Sequence, residues 1–259
     1  MSTTEAVLRG LTDKNLPALI GYFPAGYPSA SESIEACVAM CESGIDVLEL
    51  GVPYSDPVMD GLVIQEATEI ALANGFKLAL FFDSLKEITA RVDTPVLVMS
   101  YWNPILQYGV RKFATDLKAA GGAGLITPDL IPDEATEWIQ ISDELGLDRV
   151  FLATPSSSTE RLAQSAKLSR GFVYAVSTMG ITGAREDLDA KARSVVSGLE
   201  ATGSEIPVCV GIGISTPEQV AEVNSYADGA IVGSLFIRAY RDGGVPGLKN
   251  AVRNLKAGK

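Results

Sequence analysis

Glu49 lies in an otherwise apolar run, IDVLEL at residues 45–50, and the loop behind it, GVPYSDPVMDG at 51–61, adds Asp56 and Asp60. A plain connection between two elements usually takes only about two to six residues. Burying a glutamate in an apolar strand disfavours its charged form and lifts its pKa toward the range useful for proton transfer. The competing reading is a structural glutamate paired with a neighbouring lysine or arginine. Asp56 precedes Pro57 and can organise a turn through its side chain. Asp60 precedes Gly61 and the helical pattern LVIQEATEIALANG at 62–75, where it could act as an N-cap. A glutamate and an aspartate facing one cavity would supply a proton donor and acceptor without histidine.

That economy matters, because the 259-residue chain contains no histidine at all. Ser-His-Asp and Cys-His catalysis are excluded, together with most metal-dependent hydrolysis. Cys37, Cys41 and Cys209 have no histidine to complete a zinc site and read as small buried hydrophobes, so no metal is expected. A net charge of −11 argues against nucleic acid and anionic membranes as partners. One phosphate on a small-molecule substrate remains compatible with it, since backbone N–H groups can hold an anion locally. Three glycine clusters could do so: STMGITGAR (177–185), GIGIST (211–216) and VGSLFIRAY (232–240). Tyr22, Tyr101, Trp102 and Tyr174 stand near other apolar segments and fit either core packing or the walls of a site for a flat apolar ring.

Positioning these groups requires a scaffold. Eight apolar segments rich in Val, Ile and Leu, at 16–23, 46–52, 95–101, 123–128, 149–155, 172–177, 207–213 and 229–234, read as parallel strands buried on both faces. Between them lie helical patterns with cap residues at their ends, such as ASESIEACVAMCESG (30–44), DEATEWIQISDELG (133–146) and TPEQVAEVNSYADG (216–229). Eight such units predict an α/β fold, a single-domain (β/α)8 TIM barrel over residues 1–259. TEAVLRGLTDK (4–14) predicts an extra N-terminal helix. An open doubly wound sheet would usually carry a glycine-rich turn after its first strand, and YFPAGYPS is broken by proline instead. In a barrel, alternation sets Val47 with Glu49 and Leu48 with Leu50, so leucines facing the helices would point Glu49 inward near the mouth. The last two strand–helix loops, with a short helix from about Leu235, occupy the usual phosphate site of this architecture. No run reaches the roughly 20 apolar residues of a membrane span, and the N-terminal stretch has no secretory pattern, so a cytoplasmic protein is expected.

ELGVPYSDPVMDG with LVIQEAT, GYFPAGYPS, MSYWNPILQYG, GLITPDLIPDE, FVYAVSTMGITGAR, GIGIST and GAIVGS occur in this order. In that order they resemble the tryptophan synthase alpha chain family, from about residue 16 to the C-terminal end. The resemblance implies retro-aldol cleavage of indole-3-glycerol phosphate to indole and glyceraldehyde 3-phosphate, in tryptophan biosynthesis. It implies Glu49 as the acid–base group at indole C3 and the glycerol hydroxyl, and Asp60 as the acceptor from the indole N–H. Gly183, Gly213, Gly233 and Ser234 match the family's phosphate-binding positions. Tyr22, Tyr101 and Tyr174 match cavity-lining ones. Thr182 falls in the loop after strand six, and Asp56 in the loop that meets a partner. That partner is implied to be a tryptophan synthase beta chain in an αββα heterotetramer. Pyridoxal phosphate is expected on the beta chain, and no cofactor in this one.

Leu62 and Ile131 replace common prolines of the family, Ala123 replaces a common acid, and Thr178-Met179 is an uncommon pair; none removes a proposed chemical group. Two other phosphosugar chemistries fit poorly. A metal-dependent epimerase needs histidine ligands, and a Schiff-base aldolase needs a strand lysine that none of the eight segments contains. A stand-alone indole-3-glycerol-phosphate lyase, or a weakly catalytic regulatory subunit, would share this sequence pattern.

Overall fold

The computed structural model describes residues 3–14, 16, 18–176, 185–211 and 213–257. Its strands are β1 (Ala18–Pro24), β2 (Val47–Gly51), β3 (Val96–Met99), β4 (Gly124–Ile126), β5 (Asp148–Val150), β6 (Leu152–Ala153), β7 (Val173–Val176), β8 (Val208–Gly211) and β9 (Gly229–Val232). They pair in parallel in the order β5-β4-β3-β2-β1-β9-β8-β7-β6. The two ends of that order, β5 and β6, are separated in the chain only by Phe151. They are two halves of one barrel strand, the first paired with β4 and the second with β7. The break falls where the ladder changes partner: the Phe151 N–H donates to Ser169 Oγ at 3.3 Å, while its carbonyl accepts from Tyr174 N at 3.1 Å. The sheet thus wraps into a (β/α)8 TIM barrel, in which the expected fifth strand is two short segments.

Alternation along the strands sorts the side chains as the period-two rule demands. Ala18, Ile20, Val47, Leu97, Ile126, Val150, Phe172, Cys209 and Ile231 fill the barrel interior. Leu19, Phe23, Leu48, Leu50, Val96, Val98 and Leu125 face the helices. The N-terminal helix, Thr3–Thr12, closes the bottom, with Leu8 fully buried against the interior layer. Arg9 anchors this helix to the Glu205 carbonyl at 2.7 Å, and Thr12 Oγ1 bonds Asp228 Oδ1 at 3.0 Å.

Helix ends follow local chemistry. Ser29 caps helix Ala30–Ser43, which Gly44 ends in the left-handed region at φ 109°. Thr216 and Gln219 form a reciprocal capping box at helix Pro217–Val223. Helix Leu62–Ala73 starts after Gly61 with no side-chain cap, so Asp60 is not its N-cap. Leu62 occupies the first helical position, where a family proline would also fit. The last helical stretch, Ser234–Ala257, is interrupted at Gly244, whose φ and ψ are 58° and −154°. No described helix is long and apolar enough to cross a membrane.

Candidate active site

The strand ends and their loops enclose a cavity of about 300 Å³ at the C-terminal mouth. Glu49, Asp60, Tyr22, Tyr174, Gly213, Gly233 and Ser234 all line it, together with apolar side chains including Ile64, Met99, Leu152, Val176 and Ile231. Glu49 reaches the wall because β2 places Leu48 and Leu50 outward. It pairs in register with Tyr22 of β1 and Leu97 of β3.

The Glu49 carboxyl is 2 % exposed, and its Oε1 has no hydrogen-bond partner. Among the described residues no lysine or arginine forms an ion pair with it, so none of them supports the structural ion-pair reading. Burial alone pushes its pKa up from 4.5 to about 8. It is therefore a neutral acid at pH 7, able to donate a proton.

Asp60 sits at the end of the loop after β2, buried at 7 % exposure. Burial lifts its pKa from 3.8 to about 6, against a hydrogen bond from Tyr101 that lowers it. At pH 7 it is mostly an anion. Two carboxyls in one cavity thus occupy opposite protonation states, the separation that assigns an acid and an anion.

Tyr101, expected on the cavity wall, stands behind it. It is the N-cap residue of helix Trp102–Tyr108, only 2 % exposed, and its hydroxyl accepts from Met59 N–H at 2.9 Å while serving the Asp60 carboxylate. Its ring packs on Tyr54 at 5.3 Å between centroids, and Asn103 Nδ2 donates to the Tyr54 hydroxyl at 3.2 Å. The acidic loop is thereby pinned to the end of β3, and its length is explained by the reach from β2 to these supports. Trp102 is also absent from the wall; its backbone N–H donates to Asp129 at 2.9 Å.

Two glycines make room for the wall tyrosines. A Cβ on Gly51 would stand 2.3 Å from the Tyr22 hydroxyl, and one on Gly211 would stand 2.4 Å from the Tyr174 hydroxyl. Interior positions at the ends of β2 and β8 are therefore vacated for a neighbouring ring. Burial and the nearby acids hold both phenols well above their ordinary pKa, so they line the cavity as neutral groups.

Another part of the wall comes from the loops after β8 and β9, β9 being the neighbour of β1. Gly213 adopts φ 72°, and Gly233 opens the last helical stretch, its carbonyl accepting from Phe236 N–H at 2.9 Å. The first N–H groups of a helix have no intrahelical partner, so this end favours an anion. Gly183, Thr182 and Thr178-Met179 lie outside the described residues. Asp56 is exposed on the mouth loop, bonded by the Ser55 hydroxyl at 2.6 Å, and does not line the cavity. Cys37 and Cys209 are buried and Cys41 partly so, all three as free thiols.

Sequence reasoning missed several wall residues. Met99 and Leu152 were reachable by alternation within their strands. Arg238, also on the wall, follows Ser234 by four positions, one helical turn, which was the available signal.

Residues 8–257 match the family model described as tryptophan synthase alpha chain. The chain belongs to the tryptophan synthase alpha chain family. A tryptophan synthase alpha chain from Leifsonia xyli subsp. xyli is 63% identical over 228 residues, covering 88% of this chain and 87% of that one. One from Mycobacterium marinum is 52% identical over 245 residues, 95% of this chain and 90% of the relative. Among solved structures, the aminoacrylate-bound tryptophan synthase from M. tuberculosis superposes with a TM-score of 0.91 at 46% identity, covering 100% of this chain and 99% of that one. The tryptophan synthase complex from Pyrococcus furiosus gives 0.83 at 34% identity, covering 93% and 98%. Membership in the tryptophan synthase alpha chain family and the barrel with its acidic mouth loop agree.

Proposed function

We propose that this chain is the alpha subunit of a tryptophan synthase, cleaving indole-3-glycerol phosphate to indole and glyceraldehyde 3-phosphate with Glu49 and Asp60 as the catalytic pair. The observation that carries the reading is the desolvated Glu49 carboxyl, its Oε1 without a hydrogen-bond partner among the described residues, sharing one cavity with an anionic Asp60.

Protonated Glu49 donates to indole C3, and the ring becomes a cationic indolenine. Asp60, accepting from the ring N–H, stabilises that positive charge where it develops, and low surrounding polarity strengthens the effect. The Glu49 carboxylate then takes the proton from the hydroxyl on the adjacent glycerol carbon. The O–H pair becomes the new C=O bond, the C–C bond breaks, and its electron pair restores indole aromaticity. Glu49 ends protonated, as it began, so this chain's own step is complete with proton transfers alone. The apolar wall of Ile64, Met99 and Leu152 suits the ring, and the wall from the β8 and β9 loops suits the phosphate.

A partner fits the exposed apolar rim. Val58 and Leu62 are 73% and 64% exposed, and Leu106 and Ile131 are exposed on the neighbouring mouth elements. These elements are tied together by the Tyr54–Asn103 and Trp102–Asp129 bonds. Asp56 lies on the same rim. We assign this surface to a tryptophan synthase beta chain that carries pyridoxal phosphate and receives the indole in an αββα assembly. The test is indole release from indole-3-glycerol phosphate by the purified chain, with and without a beta chain. Slow release that rises sharply with the partner supports the reading. Fast release alone replaces it with a stand-alone lyase, and no release from a folded protein sinks it.

A further inference from the structure

The cavity wall carries charge of both signs. Glu49 and Asp60 supply the acids, and Arg238 lines the same cavity with Gly213, Gly233 and Ser234. It follows Ser234 by one helical turn in the stretch Ser234–Ala257. Arg241, one turn further on, is relieved by Glu66 and Asp242 at 3.8 Å and 3.2 Å. Arg238 has no ion pair or hydrogen bond among the described residues. A cation with no carboxylate partner among the described residues, on the wall of a cavity in a chain of net charge −11, is matched by an anionic ligand.

We propose that Arg238 is a phosphate-binding and specificity-determining residue of this site, its guanidinium adding the charge that backbone N–H groups lack and selecting a phosphorylated ligand over its neutral counterpart. The inference rests on the substrate reading above for the identity of the ligand, but not for the presence of an anion subsite. Backbone donors orient phosphate oxygens without neutralising a dianion; an arginine supplies a full charge and a planar fork of donors.

Calorimetric titration of sn-glycerol 3-phosphate, with glycerol as the neutral control, tests this on wild type, Arg238→Met and Arg238→Lys. The expected result is affinity for sn-glycerol 3-phosphate lowered about 30-fold in Arg238→Met, the size of one charge-assisted contact, and largely restored in Arg238→Lys. KM for indole-3-glycerol phosphate should rise in parallel while kcat stays within about threefold, as for a contact made equally in ground and transition states. Unchanged affinity in Arg238→Met overturns the proposal. An equal loss in Arg238→Lys overturns the charge role, since lysine keeps the charge and loses only the planar fork. Wild type that binds sn-glycerol 3-phosphate but does not cleave indole-3-glycerol phosphate would sink the assigned reaction and leave the Arg238 comparison decisive by itself.

Discussion

Replacing Glu49 by glutamine should abolish cleavage and, above pH 5, make the protein more stable. The native carboxyl is held at about 8 against an ordinary 4.5. Below pH 4.5 it is protonated in both folded and unfolded chains and contributes no difference. Between 4.5 and 8 the unfolded chain releases the proton while the folded chain keeps it, so folding loses stability as pH rises. Above 8 the loss is complete. At 1.36 kcal/mol per unit, the full shift of about 3.5 units costs roughly 5 kcal/mol, and about 3 kcal/mol at pH 7. Glutamine has the same shape and does not titrate, so Glu49→Gln escapes this cost. For a chain of this size the gain corresponds to a melting point about 6 °C higher at pH 7. Urea titrations of both proteins at pH 5, 6, 7 and 8 read the gap directly, and indole release reads the chemistry. A stability gap that stays constant across this range would refute the desolvated-acid account. Appreciable turnover by the variant would remove Glu49 from the proton transfers.

Two further expectations concern Asp60. The plot of kcat/KM against pH should be bell-shaped for wild type, rising near 6 as Asp60 ionises and falling near 8 as Glu49 loses its proton, the apparent values belonging to the pair; Asp60→Asn should be severely slowed and lose the acid limb, and a retained limb would assign it to another group. Tyr101→Phe removes both the bond to the Asp60 carboxylate and the acceptor for Met59 N–H. The acid limb should then move to higher pH, since the lost bond had lowered the Asp60 pKa, with kcat/KM reduced about tenfold, the worth of one hydrogen bond to a charged group. An unmoved limb would show that Tyr101 only packs.

The sequence alone determined the features that depend on near neighbours in the chain. Period-two alternation sent Glu49 inward because Leu48 and Leu50 must meet the helices, and cap chemistry set Ser29, Gly44 and Thr216 at helix ends. Ordered motifs such as ELGVPYSDPVMDG carried the family. Tertiary structure decided what depends on distant ones. Whether Glu49 met a cation could not be read from spacing, since ion pairs form across the fold; its burial sets its proton affinity. Asp60 fitted an N-cap equally well by local rules, and only the Tyr101 hydroxyl, brought from the end of β3, shows it held toward the cavity. The same is true of Tyr101 behind the wall, where a strand-end aromatic was expected on it. The split at Phe151 follows from barrel closure, which obliges one strand to change partners. Arg238 lies within VGSLFIRAY, marked locally only by its one-turn spacing from Ser234, and only the fold sets it on the cavity wall. Local periodicity fixes which way a side chain points, but its chemistry depends on the groups that long-range packing brings near or keeps away.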